Sequence, residues 1–191
     1  MSRPGRRRRL QALALVLLGL GPGRAAARAE DERASLEYPV KASLLLNFAK
    51  FVEWPIGSHQ AAASSVSICV LGPDPFGPVL DSIMAGRRVG GRPIEVKRFG
   101  RLEGIESCHV LFIASAGNAI LGDALARLRQ QPVLTVGESS EFCERGGIIN
   151  LSVQHNHAAF SVNLAPAELN HLKLSSKLLG VAASVRLGAN Q

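Results

Sequence analysis

The sequence predicts an α/β fold: a three-layer sandwich whose mainly parallel sheet has helices on both faces and an antiparallel edge hairpin. Three observations carry this expectation. Short apolar runs at Val66 to Leu71, His109 to Ala114 and Pro132 to Val136 have the length and content of strands buried on both sides. Stretches with helical spacing separate them. Towards the end, Ile148 to Val153 and Ala158 to Val162 are divided only by Gln154 to His157, which argues for a hairpin turning at Asn156.

The elements follow in order. Val40, Leu44, Leu45, Phe48, Phe51 and Val52 recur at three- and four-residue steps, predicting an amphipathic helix from Leu36 to Glu53 stopped by Pro55. The strand Val66 to Leu71 ends in Gly72-Pro73, and Asp74-Pro75 reads as an N-cap followed by proline at the first helical position, opening a helix to Met84. Pro93 to Phe99 alternates apolar and charged residues, as a less buried strand does. A helix is expected from Asn118 to Gln130 and a helical turn from Ser139 to Glu144. Helices from Pro166 to His171 and from Ser176 to Val185 close the chain.

The N-terminus carries a different signal. Arg3 and Arg6 to Arg9 are followed by the uncharged run Leu10 to Leu20, then by Ala27-Arg28-Ala29. Basic, apolar and small-residue regions in that order predict a secretory leader cleaved after Ala29. The apolar run is about half the length a bilayer span needs. The expected mature chain is a single soluble domain over residues 30–191, working outside the cytoplasm.

Charge takes on a new meaning once the leader is set aside. The chain has 22 basic and 15 acidic residues, a formal charge of +7. Residues 1–29 hold seven of the arginines and no acid, so the remainder is balanced at 15 against 15. A basic protein would suggest an anionic partner. The balanced domain does not, and it has no basic stripe with interleaved aromatics, so nucleic acid is excluded as a partner class.

Catalytic signatures are likewise missing from the sequence. There is no Gly-x-Ser-x-Gly elbow, phosphate-binding loop or dinucleotide fingerprint. The histidines at 59, 109, 155, 157 and 171 lack metal-ligand spacing, and no cofactor or metal is implied. Glu138, Glu141 and Glu144 lie three apart, the pattern of a solvated helical face. Gly146-Gly147 permits tight entry into a strand. Cys69 and Cys108 lie on or beside neighbouring strands in an oxidising compartment, either as a bridge or as two buried thiols. Cys143 is then a free buried thiol or a site for pairing between chains. Trp54, the only tryptophan, stands at the end of the first helix, where it either packs into the core or anchors a partner.

Several runs together resemble one family. Lys41 to Pro55 (KASLLLNFAKFVEWP) is similar to the opening motif of the YfiR-like bacterial periplasmic proteins. Matches continue in order through Ile68 to Gly72 with Asp74 to Gly77, Cys108 to Ile113, Pro132 to Gly137, Gly146 to Asn150 and Leu172 to Leu179. The resemblance implies a three-layer α/β fold, dimer formation and a non-enzymatic regulator. Such regulators inhibit an inner-membrane diguanylate cyclase by docking on its periplasmic domain, which lowers cyclic-di-GMP and biofilm formation. An outer-membrane lipoprotein can sequester the inhibitor. The alternative is a periplasmic small-ligand sensor, or an accessory protein for another membrane signalling partner. Cys69 and Cys108 match the positions of one family bridge. Some members pair the cysteine corresponding to Cys143 with another about seven residues on, where this chain has Asn150. Trp54 and Arg145 are the expected partner-binding residues.

Overall fold

The computed structural model describes residues 37–114, 118–154 and 157–187. The expected leader over 1–29, its cleavage site after Ala29, the helix start at Leu36, and His155 with the turn residue Asn156 lie outside the described residues.

The first helix, α1, runs over residues 37–50. Its inner face is Ala42, Leu45, Leu46, Phe48 and Ala49, all buried at the spacing that puts one stripe against a sheet. It stops earlier than the periodicity predicts. Val52–Glu53 (β1) instead pairs antiparallel with Lys173–Leu174 (β9), so a tertiary strand contact overrides continuation of the helix. A short helix, α2 (His59–Ala62), is capped by the Ser58 side chain, which accepts the Ala61 N–H.

Next come β2 (Val66–Leu71) and α3 (Pro78–Met84). The expectation that Asp74-Pro75 opens this helix is corrected here. Gly77, at φ +52°, is the N-cap and Pro78 takes the first turn. One Asp74 oxygen accepts the Phe76 N–H at 2.8 Å and the other binds Arg98 Nε at 2.7 Å, so the carboxylate is committed to a turn and an ion pair.

The chain continues with β3 (Arg88–Val89), β4 (Arg92–Phe99), a 3-10 turn (Ile105–Ser107), β5 (Val110–Ile113), α4 (Asn118–Arg127) and β6 (Leu134–Gly137). It ends with β7 (Ile149–Gln154), β8 (His157–Asn163), α5 (Leu164–Leu169), β9, α6 (Ser176–Gly180) and β10 (Ser184–Arg186). Ser139 to Glu144 forms hydrogen-bonded turns, the Phe142 N–H donating to Ser139 O and the Arg145 N–H to Glu141 O, so the expected helical turn is present without extending into a helix. The expected helix Ser176 to Val185 is shorter, because its last residues pair with β8 as β10.

Eight strands form one sheet in the order β10-β8-β7-β6-β5-β2-β4-β3. Five neighbouring pairs are parallel, while β7–β8 and β3–β4 are antiparallel. The expected mixed α/β architecture is therefore present. The hairpin near the end is β7–β8, with β10 laid parallel along its outer side.

Strand alternation builds the layers. Val66, Ile68 and Val70 of β2, Val110 and Phe112 of β5, and Leu134 and Val136 of β6 face one core, shared with α1, α3 and α6. Cys69, Leu71, Leu111 and Ile113 point the other way, onto Leu121 and Ala124 of α4 and Leu128 just after it. Each such large apolar side chain, removed from water, contributes roughly 1.5–3 kcal/mol.

Candidate functional site

Cys69 and Cys108 are joined by a disulfide across 39 residues of sequence. It ties β2 to the start of β5, on the α4 side of the sheet. Cys143 is a free, buried thiol, and burial pushes its pKa up, away from the reactive thiolate. Its sulfur lies 3.8 Å from the carbonyl oxygens of Ile148 and Ser161. Asn150, opposite Ser161 in the β7–β8 ladder, carries a buried side-chain oxygen with no hydrogen-bond partner among the described residues.

Trp54 follows β1 and is half-buried, packed on the core beneath α1. Its ring meets that of His109 edge-on, 5.1 Å between centroids, and its indole N–H is buried without a partner among the described residues. His109 is 1% exposed. The Ser67 N–H donates to its Nδ1 at 3.1 Å, and its Nε2 lies 2.8 Å from the Gln60 carbonyl oxygen, so the proton belongs on Nε2. Burial pushes the His109 pKa down to about 4, opposed by the Gln60 hydrogen bond and assisted by Arg92. This imidazole is a neutral structural group at neutral pH.

Trp54 also lines a cavity of about 550 Å³ with Pro55, Ile56, Glu168, His171 and Lys173. Ile56 is fully exposed at its mouth, a large apolar side chain that buries nothing within the chain. The sequence reading passed over this residue. Its position directly after Trp54-Pro55 was the available signal.

Arg145 sits in the turn before β7, exposed, and lines a second cavity of about 500 Å³. That groove lies between α4 and α5, with Leu125, Ala126, Pro166 and Leu169 on its walls. Trp54 and Arg145 therefore do not share a cavity. Residues 165–173 lie between them: Glu168, His171, Leu172 and Lys173 face the Trp54 side, while Ala165, Pro166, Leu169 and Asn170 face the Arg145 side.

Two polar clusters were not anticipated. Lys41, 4% exposed, binds Glu138 at 2.5 Å and Glu37 one helical turn away, with its ammonium 4.8 Å above the Tyr38 ring. Burial alone would lower the Lys41 pKa, but the hydrogen bonds its ammonium donates to Glu138 and Glu37 outweigh it and raise it. The expectation of a solvated Glu138-Glu141-Glu144 face is corrected, because the Glu138 side chain is only 9% exposed. The other cluster centres on Arg98, which reaches Asp74, Asp81 and the Gly77 carbonyl oxygen, fastening the start of α3 to β4.

Among the described residues, no group of three or more His, Cys, Asp or Glu could hold a metal ion. No helix among them is long and apolar enough to cross a membrane. Trp54 and Arg145 each border a cavity open to solvent, the first with Glu53, Glu168, His171 and Lys173 on its lining and the second largely apolar.

Among solved structures, the chain is similar to a conserved domain protein from Vibrio cholerae. The TM-score is 0.46 and the identity 13%, over 63% of this chain and 54% of that one. This chain spans about half the length of that protein. Curated protein sequences gave no match. The YfiR/HmsC-like family description (DUF4154) matches residues 38–183, from α1 to the residue before β10. This chain belongs to the YfiR/HmsC-like family.

Proposed function

We propose that the protein is a periplasmic regulatory binding protein that docks on the outer domain of an inner-membrane diguanylate cyclase and lowers cyclic-di-GMP output. Family membership across residues 38–183 is the observation that carries this reading. In this account residues 1–29 are a leader removed on export, and residues 30–191 act as one domain without chemistry of their own. The disulfide supports it, since such bridges persist in oxidising compartments.

The docking surface is the face bordered by Trp54 and Arg145. Exposed Ile56 and Leu169 supply apolar contacts, with Lys173 and Arg145 beside them. Apolar anchors within a charged rim are the usual anatomy of a protein interface. Homodimer formation and sequestration by an outer-membrane lipoprotein belong to the same reading. The direct binding test is co-purification with the periplasmic domains of the host's membrane diguanylate cyclases. One of them should be retained by the wild-type protein and lost with Ile56→Asp or Arg145→Glu. Retention of none would contradict the docking.

A further inference from the structure

We propose that the groove between α4 and α5 binds a small amphipathic organic acid, its carboxylate held by Arg145 and its apolar body lying between the helices. This site goes beyond docking on a cyclase and does not depend on it.

The groove encloses about 500 Å³, within the range of small-molecule sites. Its walls are apolar between two cations. Leu125 and Ala126 form the α4 side, with Pro166 and Leu169 opposite. Arg145 and Arg129 both line the groove, and no carboxylate does. Glu168, the acid of α5, lines the Trp54 cavity instead. Neither guanidinium has an ion-pair partner among the described residues, whereas Arg127, on α4, pairs with Glu106. Uncompensated guanidiniums beside apolar walls complement a carboxylate that carries a hydrophobic body.

The helix sequence fits this placement. Gly122 is an exposed position inside α4, where glycine is disfavoured against almost any other residue. A Cβ there would lie 3.8 Å from Arg145 Nη2, so the guanidinium rests over the helix surface that a longer side chain would occupy. Arg129 follows α4 in the turn after Arg127 and is exposed, so a second cation borders the groove beyond the helix end. The buried polar residues on the lining, Thr135 and Asn170, are already engaged, Thr135 Oγ1 accepting the Ile148 N–H and Asn170 accepting the Gln130 N–H and donating to the Val133 carbonyl oxygen, which leaves the guanidiniums to hold the carboxylate.

The test is calorimetric titration of the purified full chain with 4-phenylbutyrate and with its uncharged counterpart, 4-phenylbutan-1-ol. The acid should bind saturably with one site per chain, and the alcohol should not bind over the same concentrations. Arg145→Gln should weaken the acid by about tenfold or more, the size expected when a charge-assisted contact is lost. Ala126→Phe should remove binding by filling the groove, with the thermal midpoint checked for folding. Glu53→Gln should bind as the wild type does, because Glu53 lines the other cavity. Failure of the wild type to bind the acid, equal binding of the alcohol, or unchanged affinity in Arg145→Gln would overturn the proposal. No cyclase enters the measurement, so its outcome is separate from that of docking.

Discussion

Lys41 shows what single residues contribute and what local sequence conceals. Its ammonium is buried between Glu37 and Glu138 beneath the end of the sheet. Replacing it with methionine leaves Glu138 without that cation, and breaking such a buried pair costs about 3–5 kcal/mol. Chemical denaturation of Lys41→Met should show a loss of that order, and Lys41→Met combined with Glu138→Leu should recover much of it. Nothing in the local pattern marks this pair, because its members are 97 residues apart and meet only after α1 packs on the sheet. Trp54 and the cysteines were legible, because residue type and position alone single them out. His109 carries the pH dependence. Its folded pKa of about 4 lies below the ordinary value of 6.5, so the neutral ring stabilises the fold fully above about pH 6.5. That contribution is lost as pH falls through about 4. Urea titrations between pH 7 and 4 should record a decline of up to about 3 kcal/mol from this group, absent in His109→Gln.

At the scale of elements, Phe142 determines how β6 ends and β7 begins. Its ring is 1% exposed and lies against the backbone of both Gly137 and Gly147. A Cβ at either glycine would fall well inside van der Waals contact with that ring. Gly137→Ala should therefore destabilise by about 1–3 kcal/mol or more, with partial rescue when Phe142 is also changed to leucine, measured by thermal unfolding. The sequence reading of Gly146-Gly147 as a tight entry to a strand has a physical basis here. Gly146 takes φ +99°, and Gly147 leaves room for the ring. The disulfide acts on the same scale by joining two neighbouring parallel strands. Cys69→Ala with Cys108→Ala should lower unfolding free energy by about 4 kcal/mol in the chain-entropy estimate, checked by denaturant titration. The long apolar strands and α4 were readable from periodicity. The two-residue strand β1 and the three-residue strand β10 were not, since pairing partners distant in sequence define them. The α3 start was misplaced because two proline signals compete and Arg98 claims the first one's cap.

Over the whole molecule, the sheet places the two candidate residues on separate cavities with residues 165–173 between them. That arrangement was not legible, because neither cavity exists until α5 packs beside α4 and β1 pairs with β9. Charge points the same way at this scale. Without residues 1–29 the chain is balanced, so the proposed docking rests on local features such as Ile56, Leu169 and Arg145 rather than on a bulk electrostatic field. The central claim is that binding by this domain restrains a cyclase across the inner membrane. The most direct measurement is the cellular cyclic-di-GMP level in a strain lacking the gene, with and without the wild-type copy restored. The account predicts a rise on deletion and a return to the parental level on complementation. An unchanged level in the deletion strain would contradict it.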